Sequence, residues 1–229
     1  PPTPPLSTTA KSSAASDVYK RQALHLYARE GLHSVSLRRI ATEAGSRNSA
    51  AMHYHFGDKL GVIAALANMI AEQMAAIAQG IRSNEPAPGS LHDAFRNALR
   101  PLTELPQHCS WGTDAVRFMS LMISENSPEI AAIMNPIYTP FWRQVDEQLM
   151  QLLPELPQHT RQLRLMFMSV NVFHGAAEVA SLAHTPLGDM SHFDPDTLLN
   201  ELVDYLIGGL RAPSGNHDYA PMKINVSLQ

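Results

Sequence analysis

The side chains whose types and spacing suggest chemistry gather between Lys20 and Lys59. Seven bases (Lys20, Arg21, Arg29, Arg38, Arg39, Arg47, Lys59) stand there against three acids (Glu30, Glu43, Asp58). The block carries +4, so the rest of a chain whose net charge is −4 carries −8. A basic block on an acidic body suits a protein that meets phosphates with one end only. A solvated helix face would give the bases no reason to gather. Asn48, Ser49, His53 and Tyr54 add polar side chains able to contact base edges or phosphates. The chemistry implied is non-covalent recognition of a nucleic acid.

The elements that must position these groups are short. Residues 23–59 read as a helix broken at Gly31, a second helix over 37–44 capped by Ser36, a break at Gly45, and a third helix over 48–56. Met52 and Phe56, one turn apart, face inward. Two short helices joined by a glycine-containing turn make the helix-turn-helix unit, whose second helix enters the major groove.

Other chemistry has little support. His53 and His55 are two apart on a helix and point in different directions, with no acidic or thiol partner, so no metal site is expected. His108 beside Cys109 reads as a loop pair. No G-x-S-x-G elbow, P-loop or H-E-x-x-H pattern is present, and neither catalysis nor a cofactor is expected. The single cysteine excludes a disulfide framework. No run approaches ~18 uninterrupted apolar residues, and the chain start lacks a secretory layout; a soluble cytoplasmic protein is expected.

The remainder reads as all-α. A helix from Asp58 puts Leu60, Ile63, Ala67, Ile70, Met74 and Ile77 on one face, with Gly80 near its end and a loop over 83–90. Ser90 and Asp93 form a capping pair ahead of a helix that ends or kinks at Pro101. Further helices are expected over 113–124 and from Ser127-Pro128-Glu129 to Pro154, the latter with Pro136 and Pro140 inside it. Residues 161–183 carry two apolar faces, and the last helix opens at Asp194-Pro195-Asp196. These two helices are either the core of a monomer or a four-helix dimer interface involving Ala176, Ala177, Ala180, Leu199, Leu202 and Leu206. Bulky groups concentrate in the middle helices: Trp111, Phe118, Met122, Tyr138, Phe141, Trp142 and Phe167, with Asn171 and His174 as polar anchors. Such a set lines an effector pocket or fills a core. Residues 1–17 and 213–229 are expected to be disordered.

LYAREG (26–31), SLRRIATEAG (36–45) and YHFGDK (54–59) resemble the DNA-binding domain of the TetR family of bacterial transcriptional regulators. The AGSRNSAAMHYHFG run (44–57) resembles a subset of that family with one extra residue in the turn. The resemblance implies an N-terminal three-helix bundle over 18–58 and a larger effector-binding and dimerisation domain over 59–212. It implies a homodimer on a palindromic operator, usually a repressor released by a small molecule. Ser36 takes the place of the capping residue that touches a phosphate; Arg47, Asn48, Ser49 and Ala50 open the recognition helix; Lys59 matches a phosphate-pairing lysine. His53 falls where the family often has a phosphate-contacting tyrosine, followed by Tyr54 and His55; Arg38 belongs to the same basic surface. A small helical enzyme and a ligand-free architectural DNA-binding protein are the alternatives. The resemblance stops at Ala23, and no methionine stands at Pro1, so residues up to about Gln22 are expected not to be native to the gene. The aliphatic turn that should pack on Ile40 and Phe56 would then be missing and the N-terminal bundle loosely held.

Overall fold

Glycines with positive φ at Gly31 (79°), Gly45 (78°) and Gly57 (74°) end the first three helices, a conformation that costs a side-chain-bearing residue about 1–2 kcal/mol. The computed structural model describes residues 8–46, 50–86, 88–125 and 127–213, without the side chains of 8–14 and 180. Helix α1 spans Thr8–Glu30, α2 Leu37–Glu43 and α3 Ala50–Phe56. They close on a core of Tyr19, Ala23, Leu24 and Tyr27 from α1, Ile40 and Ala41 from α2, and Met52 from α3. An ion pair between Arg39 and Glu30 fastens α2 to the end of α1.

Two expectations are corrected here. Residues 8–17 are helical; no proline or glycine interrupts the chain between Leu6 and Glu30, and alanines favour the helix. The bundle is also not short of a packing turn. Tyr19 is buried in the core that contains Ile40, and its ring lies 6.0 Å from that of His55. Residues 1–7 and 214–229 fall outside the described set.

Helix α4 (Lys59–Asn84) starts under α3 and continues into the larger helical domain. It is long and apolar enough, by length and composition alone, to cross a membrane. Here Val62, Ile63, Leu66, Ala67 and Ile70 are buried in the protein core. Ile63, Ala67, Ile70 and Ile77 of the expected stripe are buried, with Val62, Leu66 and Ile81 beside them; Leu60 is exposed and Met74 half-buried. Helices α5 (Leu91–Thr103), α6 (Leu105–His108), α7 (Gly112–Ser124), α8 (Pro128–Leu152), α9 (Gln158–Glu178) and α10 (Pro195–Arg211) follow, with a 3-10 turn over Val179–His184 after α9. No strand occurs among the described residues.

The caps are those the sequence marks. Ser90 Oγ accepts from Asp93 N (3.0 Å), Ser127 Oγ from Ile130 N (3.2 Å) and Asp194 Oδ1 from Thr197 N (3.0 Å), each worth about 1 kcal/mol. Helices run further than single breakers suggest: α4 passes Gly80, α5 passes Pro101, α8 passes Pro136 and Pro140, and α10 passes Gly208-Gly209. Tertiary packing outweighs these local preferences. Helix α9 gives way to the 3-10 turn at Val179, earlier than the expected end at Ala183.

Helix α7 is the centre of the molecule. Phe118, Met119 and Met122 are buried, and the Phe118 ring stacks 6.3 Å from Tyr27 of α1. His25 Nδ1 lies 2.9 Å from Asp114 Oδ2, and His33 Nε2 lies 3.0 Å from Glu125 Oε2, so both ends of α7 hold the N-terminal bundle. The Tyr27 hydroxyl is buried without a hydrogen-bond partner among the described residues, and burial pushes its pKa from 10.0 up to about 12. The folded state keeps this proton more tightly than the unfolded chain. Its ionisation therefore costs the fold nothing below pH 10, and stability falls as pH rises from 10 towards 12. Tyr27→Phe is expected to stabilise the protein by about 1 kcal/mol at neutral pH and to flatten its alkaline loss of stability. Thermal melts at pH 7 and pH 11 check this; a lower melting temperature at pH 7 would contradict it.

Candidate nucleic-acid interface and effector cavity

The expected recognition residues fall into exposed, inward and undescribed groups. Ser36 caps α2 by accepting from Arg39 N (3.2 Å), and both Ser36 and Arg38 are exposed. Ala50, His53 and Tyr54 are exposed on α3, Tyr54 to 84 %. The His53 ring donates from Nδ1 to Gly57 O at 2.8 Å, fixing its orientation across the end of α3. His55 does not join this surface: it is half-buried, with its ring 6.0 Å from both Tyr19 and Phe56. The reason is helical phase, since Met52 and Phe56 face the bundle and His55 lies beside them. Arg47, Asn48 and Ser49 lie outside the described residues.

Lys59 is the first residue of α4, behind the cap Asp58, which accepts from Gly61 N at 2.9 Å. Its Nζ sits 5.9 Å from the centre of the Tyr27 ring, a cation–π contact that orients the ammonium. Sequence reasoning had no signal for that pairing, because the two residues lie on different helices far apart in the chain. Gly61 is required by close approach: a Cβ there would overlap the Phe56 carbonyl oxygen.

A second feature lies in the larger domain. A cavity of about 530 Å³ opens between α4, α5, α8 and α9. Of the expected effector residues, Tyr138, Phe141 and Trp142 line it. The Tyr138 hydroxyl donates away from it, to Met119 Sδ at 3.0 Å and more weakly to Ala67 O at 3.5 Å; burial raises its pKa.

The other expected effector residues do not line this cavity. Phe118 and Met122 are core, and Trp111 is half-buried against that core. Phe167 is 53 % exposed, and the exposed Asn171 donates its amide to Phe167 O. His174 hydrogen-bonds Ser120 Oγ at 2.7 Å between α9 and α7. What the sequence reading missed are Ala71, Ala75 and Ala78 of α4 and Ala94 and Ala98 of α5. The space exists because these side chains are small, and a search for bulky groups passes over them.

The expected dimer residues also divide. Leu199 and Leu206 are buried within the chain, while Ala176, Ala177 and Leu202 are half-buried; the Ala180 side chain lies outside the described set. One face of α9 (Leu165, Met168, Val172) is buried, and the other leaves Leu163, Met166, Phe167 and Val170 exposed, each by at least 40 %. Leu163, Phe167 and Val170 of the second apolar face are therefore uncovered in the single chain, while Phe173 of that face is buried.

Two family models match this arrangement: "Bacterial regulatory proteins, tetR family" over residues 21–66, and "Tetracyclin repressor-like, C-terminal domain" over residues 96–209. The chain belongs to the TetR family. As a TetR-family transcriptional regulator, it carries its helix-turn-helix in α2 and α3. The family match begins at Arg21, two residues before the resemblance read from the sequence. Its fold is shared by solved structures of low identity. The fatty acid degradation regulator FadR from Bacillus halodurans is 18 % identical, with a TM-score of 0.61, over 86 % of this chain and 96 % of that one. NalD, the secondary repressor of the MexAB-OprM multidrug efflux pump in Pseudomonas aeruginosa, is 19 % identical (TM-score 0.58, 89 % and 100 % covered). FadR from Bacillus subtilis, solved in complex with stearoyl-CoA, is 14 % identical (TM-score 0.57, 84 % and 98 % covered). No curated protein matches the chain.

Proposed function

We propose that this TetR-family regulator is a homodimeric repressor that binds a palindromic operator and leaves it when a small molecule fills the cavity. The observation that carries this reading is the sharing of helices. The cavity is walled by α4, whose first residue is Lys59 beside α3. Tyr138, on the cavity wall, bonds Met119 of α7, and α7 holds the N-terminal bundle through Phe118–Tyr27 and His25–Asp114. A ligand that prefers one arrangement of α4 and α7 thereby biases the placement of the recognition helix by that preference, and by no more. Solved relatives with stearoyl-CoA bound, or acting as repressor of an efflux pump, support a ligand-responsive repressor.

In this reading Ser36, Arg38, His53 and Lys59 contact phosphates, while Ala50, Tyr54 and residues 47–49 face bases. Lys59→Ala should weaken binding to every DNA sequence alike and lower the slope of log affinity against log salt by about one. Titration of a labelled operator fragment at several salt concentrations measures both. Unchanged affinity and slope would remove Lys59 from the interface.

A further inference from the structure

We propose that the cavity takes a monoanionic amphiphile: an apolar body between α4, α5 and α8, and one carboxylate or comparable anion on Arg82 at the mouth. This rests on the reading of the cavity as an effector site. The inner wall asks for an apolar body. It is built from alanines of α4 and α5 facing Tyr138, Phe141 and Trp142, with the Phe141 and Trp142 rings edge-to-face at 5.1 Å. The hydroxyl of Tyr138, on the lining, already donates to Met119 and Ala67. A ligand acceptor placed against it would lose its water without gaining that donor.

The mouth asks for an anion. Arg82 and Glu85 are the charged residues on the cavity lining, and both are exposed at its edge. They are not equivalent. The Glu85 carboxylate is paired with Arg100, which also binds Glu104 through Nε at 2.5 Å. Arg82, in the last turn of α4, enters no ion pair or hydrogen bond among the described residues. A cationic ligand would have to take Glu85 from Arg100. An anionic ligand meets the Arg82 guanidinium without displacing anything, and its planar fork suits a carboxylate. The amide side chains of Gln144 and Gln148 line the same cavity and offer further donors.

The experiment is calorimetric titration of the full chain with decanoate, decanol and decyltrimethylammonium, each below its aggregation concentration. Decanoate is expected to bind once per chain, about tenfold or more tighter than the other two, the equivalent of one charge-assisted hydrogen bond. Arg82→Gln should bring decanoate down to the affinity of decanol, and Arg82→Lys should keep most of the difference. Ala75→Trp, which fills the cavity from an exposed wall position, should abolish binding of all three. If decanol or the cation binds as tightly as decanoate, or Arg82→Gln changes nothing, the anionic class is overturned and the cavity remains an effector site. If none of the three binds, or Ala75→Trp leaves binding intact, the effector-site reading fails and this proposal with it.

Discussion

Replacing Phe167 and Val170 together by glutamate is expected to yield a folded monomer that no longer holds its operator. Both side chains lie on the face of α9 that the single chain leaves exposed, at 53 % and 40 %. The substitutions leave the buried face of the helix (Leu165, Met168, Val172) untouched. In a dimer packed through this face the carboxylates would be buried without partners, a cost of several kcal/mol per charge. A monomer keeps one recognition helix and loses the second engagement, lowering operator affinity by roughly 10²–10⁴-fold. Sedimentation, circular dichroism and operator titration on the same sample check the three parts. Leu206→Glu is the contrast. Leu206 is 2 % exposed and packs within the chain, so a charge there should unfold the protein rather than separate two intact copies. A double mutant at 167 and 170 that still sediments as a dimer would move the interface elsewhere.

Gly61→Ala should disable DNA binding through a single methyl group. A Cβ at this position would overlap the Phe56 carbonyl oxygen where α3 turns into α4, and backbone cannot rotate aside as a side chain does. Overpacking costs about 1–3 kcal/mol even where side chains give way, so a shift of α3 against α4 is the cheaper response. The recognition helix then sits at the wrong angle while the cavity domain stays folded. Gly80→Ala on the same helix meets nothing within 4 Å and should stabilise by about 0.5–1 kcal/mol, as alanine replaces glycine in a helix. Operator titration and amide exchange across α3 separate the two variants. Parent-like operator affinity in Gly61→Ala would show that the α3–α4 junction does not position the recognition helix.

The parts of the fold legible in the sequence are those set by local chemistry. Ser36, Ser90, Ser127 and Asp194 cap helices where their spacing puts them, and Met52 turns inward because of its phase on α3. The basic block marks the N-terminal bundle for the same reason, since clustered charge needs no tertiary contact to be seen. What escaped reading depends on distant contacts. Tyr19 looks like a departure from an aliphatic pattern until it is seen buried in the core with Ile40. His55 looks like a surface group until it is found against Tyr19 and Phe56. The cavity was hidden by the opposite bias: Phe118 and Met122 are large and drew attention, yet they fill the core, while small alanines leave the space.

The short helix pair over 37–56 should read an inverted repeat as a symmetric pair. Selection of bound duplexes from a random-sequence library, using the purified full chain at physiological salt, tests it most directly. The expected outcome is enrichment of one palindromic motif whose half-sites lie a helical turn, about 10 base pairs, or a multiple of it apart. Enrichment of a lone, unrepeated half-site, or recovery of duplexes with no shared sequence, would contradict it.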